Sequence, residues 1–317
     1  MTELIIDWNQ ISQIGWEQLL ARVENSSFQQ AWAYGAIFAQ RSIHISRFVI
    51  YEGSEPVGMG QIVTRRFFGL IKIALLLRGP VWLREVTTAQ KKQALNKIRQ
   101  RYPLKWLNFF AFSPEEDTGR ENYDRENYEK MGFRKIITGY STVLVNLGQS
   151  EDQLWRDLYG KNRTSIRKAE KAGFDVQFGD HRHAQIDWLL SHESKQQKDK
   201  KYQGLPVGLV QRYGHASLRD RGVLTAFAIK EGEEMPIAGA LFLCHGNCAT
   251  YHIGWNGKEG RKCNALNLLL WHAILKLKQR GIVTLDLGGV NTEEGADIAR
   301  FKFGFGGRIV HLPGTFM

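Results

Sequence analysis

The chain has 317 residues, of which 43% are hydrophobic and 24% charged. This composition excludes the disordered and collagen-like classes, and the length exceeds what one average domain needs, so two domains of roughly 150 residues each are expected. A formal net charge of +11 points to an anionic partner (nucleic acid, a phosphate-bearing substrate or an anionic membrane surface) or to solubility alone, because net charge says nothing of placement.

The opening segment MTELIIDWNQ lacks a basic stretch followed by an apolar run, so it does not read as a signal peptide, and a reduced, cytoplasmic protein is expected. Phe48 to Thr64, FVIYEGSEPVGMGQIVT, reads as a strand, a charged glycine turn and a second strand. The longest apolar stretch, Phe67 to Leu77, is interrupted by Lys72 and is too short to span a bilayer. A helix is expected around Thr88 to Tyr102, then a strand over Trp106 to Phe112, then the closing element Tyr128-Glu-Lys-Met-Gly-Phe133.

The second half repeats this order. Leu224 to Leu243 reads as a hairpin, and Ala265 to Gln279 as a helix with Leu266, Leu269, Leu270, Ala273, Ile274 and Leu277 on one face. A strand over Ile282 to Leu287 follows, and Phe301-Lys-Phe-Gly-Phe305 closes the unit. Two copies of one α/β unit account for this better than one large domain. The loop Asn146 to Ser150 places the boundary within Val145 to Glu151, giving domains 1–147 and 148–317. Between boundary and hairpin, a single helix is expected from Glu151 to Ala172, capped by Gly173 and carrying Lys161, Arg163, Arg167, Lys168 and Lys171. Asp187 to Arg221 reads as polar and largely helical, with Lys195 to Tyr202 too hydrophilic for a core and expected as a loop. No heptad pattern marks a coiled-coil arm.

Cys244 and Cys248 have the spacing of half a zinc site, and His245 and His252 are ligands by residue type. Their segment reads as a strand, however, and Cys263 is the only further cysteine, so buried thiols and no metal are expected.

Hairpin, helix, strand and a closing Tyr-x-x-x-Gly-Phe resemble a GNAT acyltransferase unit, and two in tandem resemble the FemABX family, whose best-known members build peptidoglycan cross-bridges from aminoacyl-tRNA. The matching residues are Phe28-Gln29-Gln30 with Tyr34-Gly35, Arg78-Gly79-Pro80-Val81, Lys161 to Val176, Tyr251, Leu266 to Ala273, Leu285 to Val290, and Phe301-Lys302. They are individually short but fall in the family's order over nearly the whole chain. The resemblance implies an α/β (α+β) fold of two tandem GNAT-like domains, with mixed sheets flanked by helices and the active site in the C-terminal domain. One departure bears on the acceptor: better-studied members carry a substrate-contacting lysine after the early Trp-Gly, whereas Ala36-Ile37-Phe38-Ala39 has none.

Aminoacyl transfer to an amine needs a held acceptor, an ester or thioester donor and stabilisation of the tetrahedral oxyanion. The resemblance places Lys302, beside Phe301, at the oxyanion, although by itself it reads as an exposed lysine. Tyr251 matches an acceptor-contacting tyrosine and equally reads as a strand aromatic. Lys198 and Tyr202 fall where the family turns a basic residue and a tyrosine toward the acceptor's phosphates. Asp286 either orients the amine or caps the turn Leu287-Gly288-Gly289. His252 is a general base by type but is expected to be packed. The region expected to bind CoA pyrophosphate, Gly257 to Ala265, lacks the paired glycines of an acetyltransferase loop, as does Arg84 to Thr88. Aminoacyl-tRNA is therefore the favoured co-substrate, with no other cofactor, and Lys161, Arg163, Arg167 and Lys168 either contact its phosphates or form a solvated helix face. The leading expectation is an aminoacyltransferase acting on a lipid-linked or nucleotide-linked envelope precursor at the inner face of the membrane. The rivals are an acyl-CoA-dependent N-acyltransferase acting on a polysaccharide sugar or small amine, and a non-catalytic nucleic-acid or membrane-surface binding protein. The rival of membrane binding draws on Phe67 to Leu77 with Arg65, Arg66 and Arg78.

Overall fold

A computed structural model describes residues 3–39, 42–103, 107–119, 126–200, 206–218, 221–290 and 295–317. The chain divides into two compact units, Met1–Ser141 with Val310–Met317, and Thr142–Ile309. Among the described residues no helix is long and apolar enough to cross a membrane.

The first unit contains β1 (Leu4–Trp8), α1 (Gln13–Leu20), a 3₁₀ turn (Phe28–Gln30), α2 (Trp32–Phe38), β2 (Ile43–Glu52), β3 (Glu55–Phe67), β4 (Ile71–Leu77) and β5 (Val81–Trp82). It continues with α3 (Thr88–Arg101), β6 (Asn108–Ser113), α4 (Glu126–Lys130), β7 (Lys135–Thr138) and the chain's last strand, β15 (Gly314–Phe316). The sheet order is β1-β2-β3-β4-β6-β15-β7, with β5 on β3. The β2–β3 hairpin closes through Gly53 at φ +62°, the left-handed conformation a tight hairpin turn requires. Helix α3 begins with a reciprocal cap between Thr87 and Gln90 and buries Ala94, Leu95 and Ile98 in a core with Phe48, Ile50, Leu76, Phe110 and Phe112. The closing element sits in the same core, where the Phe112 ring touches Tyr128, Phe133 and Phe316.

The early family-like motif is structural in this unit. Gln30 is buried, accepts from the Gln61 amide at 2.8 Å and donates to the Leu77 carbonyl at 2.5 Å. Gln61 Nε2 in turn donates to the Gln29 and Ala31 carbonyls, so the two glutamines lash the 3₁₀ turn to β3 and β4. Arg78 is buried and ion-paired to Glu115, with Nη2–Oε1 at 2.6 Å. It therefore does not belong to a cationic surface beside the apolar stretch, contrary to the expectation for that segment.

The second unit contains β8 (Ser141–Asn146), α5 (Glu151–Asp157), α6 (Gly160–Glu170), β9 (Phe174–Gly179), α7 (Ile186–Lys200), α8 (Gly208–Ala216), β10 (Val223–Lys230) and β11 (Pro236–His245). It continues with β12 (Cys248–Asn256), α9 (Lys258–Lys262), α10 (Ala265–Gln279), β13 (Thr284–Val290), α11 (Ala296–Phe303) and β14 (Arg308–His311). The order is β14-β8-β13-β12-β11-β10-β9; β9 to β12 pair antiparallel and β12–β13 parallel. Ala226, Ala228 and Ala238 meet Ala265 and Leu269 of α10, and these small side chains let the helix lie close against the sheet. Leu268, Leu270, Ile274 and Leu277 complete the core with Phe242, Leu285, Leu287 and Phe305.

Four expectations are corrected. The helix read from Glu151 to Ala172 is two helices, because Leu158 and Tyr159 are extended, with the Tyr159 amide bonded to the Gly304 carbonyl at 3.0 Å; Gly173, at φ +70°, does end the second. Lys195–Lys200 is not loop but the end of α7. The strand read from Trp106 is β6 from Asn108, and Trp106 lies outside the described residues. The division expected at 147/148 falls before β8, which is a strand of the second sheet, while β15 pairs with β6 and β7 in the first.

Candidate active site

Strands β12 and β13 pair over Cys248↔Thr284, Ala249↔Leu285 and Thr250↔Asp286, where their described register ends. Beyond that point β12 carries a bulge: Leu241 of β11 faces Ile253 and Phe242 faces Tyr251, leaving His252 as the extra residue. On β13, Gly288 takes φ +77°, and its amide donates to Asp286 Oδ1 at 2.7 Å. Thr142 Oγ1 donates to the same oxygen. Asp286 is thus buried and shapes the end of β13 with one carboxylate oxygen.

Lys302 comes to this point from α11. It is only 9% exposed, and its Nζ donates to the Gly289 carbonyl at 2.7 Å. Burial pulls its ammonium down to about 8, against the opposing pull of the Asp286 carboxylate. A methyl group on Gly288 would lie 3.4 Å from the Tyr251 carbonyl oxygen and 3.5 Å from Lys302 Nζ. Around Gly288 thus lie the Tyr251 backbone carbonyl, the Lys302 ammonium and the Asp286 carboxylate, where the two strands stop pairing.

Tyr251 is half-buried, and its ring packs on Phe242 at 5.4 Å. Its hydroxyl lies over Gly254, where any β-carbon would collide with it. Burial, and then the Glu193 carboxylate, raise its phenol well above the ordinary value, so it stays protonated and able to donate a hydrogen bond. Glu193 is buried on α7 and accepts from Gln197 Nε2 at 3.0 Å. Sequence reasoning missed it, although Ile186, Leu189, Leu190 and Glu193 follow helical spacing and put a carboxylate on an otherwise apolar, buried stripe. Asn162 was missed in the same way. It shares the buried face of α6 with Ile166 and Ala169 and packs against Gly304, and among the described residues its Nδ2 has no hydrogen-bond partner. His252 is desolvated and pulled down to about 4, so it is neutral at physiological pH.

The other expected site residues are more dispersed. The half-buried Phe301 ring packs on Phe305 at 5.3 Å, beside Lys302 in sequence. Lys198 is exposed on α7; Tyr202 lies outside the described residues. On α6, Lys161 and Lys168 are exposed, while the guanidinium of Arg167 lies 5.5 Å from the Trp155 ring centroid. Arg163 donates through Nη1 to the carbonyls of Arg156 (2.8 Å) and Leu158, closing the end of α5. Within the Gly257 to Ala265 segment lies α9, closed by the helical bonds from Arg261 N to Gly257 O (2.9 Å) and from Cys263 N to Glu259 O (3.1 Å), and Ala265 opens α10. All three cysteines are free thiols, and burial pushes Cys244 up to about 11. No three His, Cys, Asp or Glu side chains converge among the described residues.

Residues 182–317 match the model of the FemAB family. A sequence comparison with curated proteins finds no match. Among solved structures, FemX matches with a TM-score of 0.82 at 14% identity, covering 98% of this chain and 96% of that one. A tandem GNAT protein from the clavulanic acid biosynthesis pathway matches at 0.54 and 13% identity, covering 99% and 98%. The C-terminal domain of a putative lysylphosphatidylglycerol synthetase from Agrobacterium fabrum matches at 0.53 and 11% identity, covering 96% and 91%. At these identities the structural matches establish the fold, and the family match over the second half agrees with it. The protein thus has the fold of FemX and of a tandem GNAT protein over its whole length and matches the FemAB family over residues 182–317.

Proposed function

We propose that the protein transfers an aminoacyl group from aminoacyl-tRNA to an amine of a cell-envelope (peptidoglycan) precursor, with the reaction centred on the second unit. The observation that carries this reading is Lys302, a buried ammonium held near the Tyr251 backbone where β12 and β13 part. In the reaction the acceptor nitrogen bonds to the ester carbonyl carbon, the carbon–oxygen bond to the tRNA ribose breaks, and the proton shed by the nitrogen ends on the ribose oxygen. Negative charge gathers on the carbonyl oxygen between these events. A cation already desolvated and fixed in place stabilises that charge without reorganising. The protonated Tyr251 phenol supplies a donor for the acceptor.

The choice of donor rests on the Gly257 to Ala265 segment. An acetyltransferase cradles the CoA pyrophosphate on free amides at a helix start behind paired glycines, whereas this segment lacks the pair and buries Gly260 against Asn256 and the Ile237 carbonyl. The exposed Lys161 and Lys168 of α6 suit tRNA phosphates. A tRNA donor also implies a cytoplasmic reaction, at the inner face of the membrane when the acceptor is lipid-linked. The test is binding of the purified protein to aminoacyl-tRNA, uncharged tRNA and acetyl-CoA at one stated salt concentration, followed by transfer to a muropeptide amine. Preference for charged tRNA with no CoA binding is expected. Tight CoA binding without that preference would replace this reading by an acyl-CoA-dependent transferase.

A further inference from the structure

The β3–β4 hairpin of the first unit carries an apolar tip on a cationic base. The Arg66 amide still bonds to the Ser42 carbonyl before β2 (3.1 Å), and the Lys72 amide to the Leu107 carbonyl before β6 (3.0 Å). Between them the chain turns through Phe68 at φ +50° and Gly69 at φ +72°. Phe68 is 94% exposed, Leu70 71% and the neighbouring Leu107 49%. A phenylalanine turned almost wholly into water, in a backbone conformation that it rarely adopts, with two further apolar side chains beside it, is a costly arrangement for a surface that only meets solvent.

The base is cationic. Arg66 and Lys72 are direct partners in the β3–β4 register, and Arg101 joins them from the end of α3. They line a groove of about 390 Å³ with no carboxylate among its described residues. An adjoining hollow of about 370 Å³ shares Arg66 and Lys72 and runs out to Gly69, Leu70 and Leu107. Arg65 stands over the Phe67 ring at 4.7 Å and Arg101 over the Trp8 ring at 4.3 Å. Among the described residues none of these cations has a carboxylate partner. Charge and apolarity are thus graded along one direction, with cations at the base and hydrocarbon at the tip.

We propose that this hairpin is a membrane-docking device: Phe68 and Leu70 enter the acyl-chain boundary of an anionic bilayer, while Arg66, Lys72 and Arg101 hold a phospholipid phosphate in the groove. The gradient matches the depth profile of a bilayer, where anionic headgroups lie above hydrocarbon. A nucleic acid would engage the cations but give the aliphatic Leu70 and Leu107 nothing to bury against. The proposal stands whatever group the second unit transfers.

The test is co-sedimentation of the full chain with vesicles of phosphatidylglycerol and phosphatidylcholine, and with vesicles of phosphatidylcholine alone. Binding to the first and little to the second is expected, with affinity falling about fivefold for each charge removed in Arg66→Gln and Lys72→Gln. Phe68→Ser/Leu70→Ser lowers it by at least about tenfold, and its unchanged thermal transition shows that these exposed side chains did not hold the fold. In Phe68→Trp, lipids brominated along the chain quench the added fluorescence, a readout that adsorption by charge alone does not give. Absence of vesicle binding, indifference to the Phe68→Ser/Leu70→Ser change, or displacement by free inorganic phosphate at matched concentration would each overturn the proposal, the last in favour of a site for soluble phosphates.

Discussion

Replacing Lys302 by methionine separates what the ammonium costs the fold from what it does in the reaction. Its ordinary value of 10.5 falls to about 8 on burial, net of the attraction of Asp286. At about 1.4 kcal/mol per pH unit, the charged form destabilises the folded state by about 3 kcal/mol. Between about 8 and 10.5 the unfolded chain binds the proton more often than the folded one, so stability rises with pH across that window and the full cost applies below it. Methionine fills a similar volume without the charge. Its variant is therefore expected to be more stable near neutral pH by about 2 kcal/mol, once about 1 kcal/mol is deducted for the lost bond to the Gly289 carbonyl. Urea unfolding of both proteins, at neutral pH and near the top of the window, measures the difference, and other titrations common to both cancel. The advantage should shrink toward zero or reverse as pH rises through the window, while transfer at neutral pH falls by at least about 10²-fold. A variant less stable at neutral pH, or a difference independent of pH, would show that Lys302 is not held desolvated; unchanged turnover would remove it from the mechanism.

Tyr251→Phe removes one hydrogen-bonding hydroxyl of about 1 kcal/mol, so kcat/KM for the acceptor should drop about five- to tenfold with the urea midpoint nearly unchanged. Glu115→Gln breaks the buried pair with Arg78 and should destabilise by about 3 kcal/mol; an Arg78→Met/Glu115→Leu double variant should regain much of that in the same denaturation assay. Arg163→Ala should lower stability by about 1–2 kcal/mol through the two α5 carbonyls it leaves unbonded, without changing tRNA affinity. Lys161→Ala/Lys168→Ala should do the opposite, weakening tRNA binding and flattening its salt dependence by about one to two phosphate contacts.

Elements whose signals are local were legible in the sequence. Helix α10 spans Ala265–Gln279 as its apolar periodicity predicts, and both hairpins and both closing elements lie where the repeated order puts them. The features that escaped depend on residues distant in sequence. The break between α5 and α6 is fixed by the Gly304 carbonyl, which takes the Tyr159 amide; near Leu158 the sequence offers just Gly160, the first residue of α6. The return of β15 to the first sheet is a pairing with β6 and β7, which a boundary drawn from loop composition cannot contain. In the site, Lys302 and Tyr251 were reached through resemblance, since an isolated Phe-Lys or a strand tyrosine is uninformative. The bond from Lys302 to Gly289 and the role of Gly288 needed the folded geometry. Glu193 and Asn162 were within reach, because each interrupts an apolar helix stripe, but a polar reading of the Asp187 to Arg221 segment hid the first and a reading of α6 by its charges hid the second.

The two units repeat one order of elements but differ at one pair of strands, and this difference falls at the proposed site. In the first unit the parallel pair β4–β6 stays in register from Lys72↔Asn108 to Leu77↔Ser113, a closed seam with backbone groups bonded across it. In the second, the corresponding pair β12–β13 is in register only from Cys248↔Thr284 to Thr250↔Asp286, and the bulge at His252 and the left-handed Gly288 follow at once. Backbone amides and carbonyls past that point lose their ladder partners and need others: Asp286 takes the Gly288 amide and Lys302 takes up the Gly289 carbonyl. The charged residues of the cluster thus do double service. They satisfy the backbone that an opened seam exposes, and in the proposed reaction they stand where the acyl carbonyl needs a cation. A closed seam has neither need, so the two units, alike in their order of elements, differ at the pair of strands where the proposed site lies.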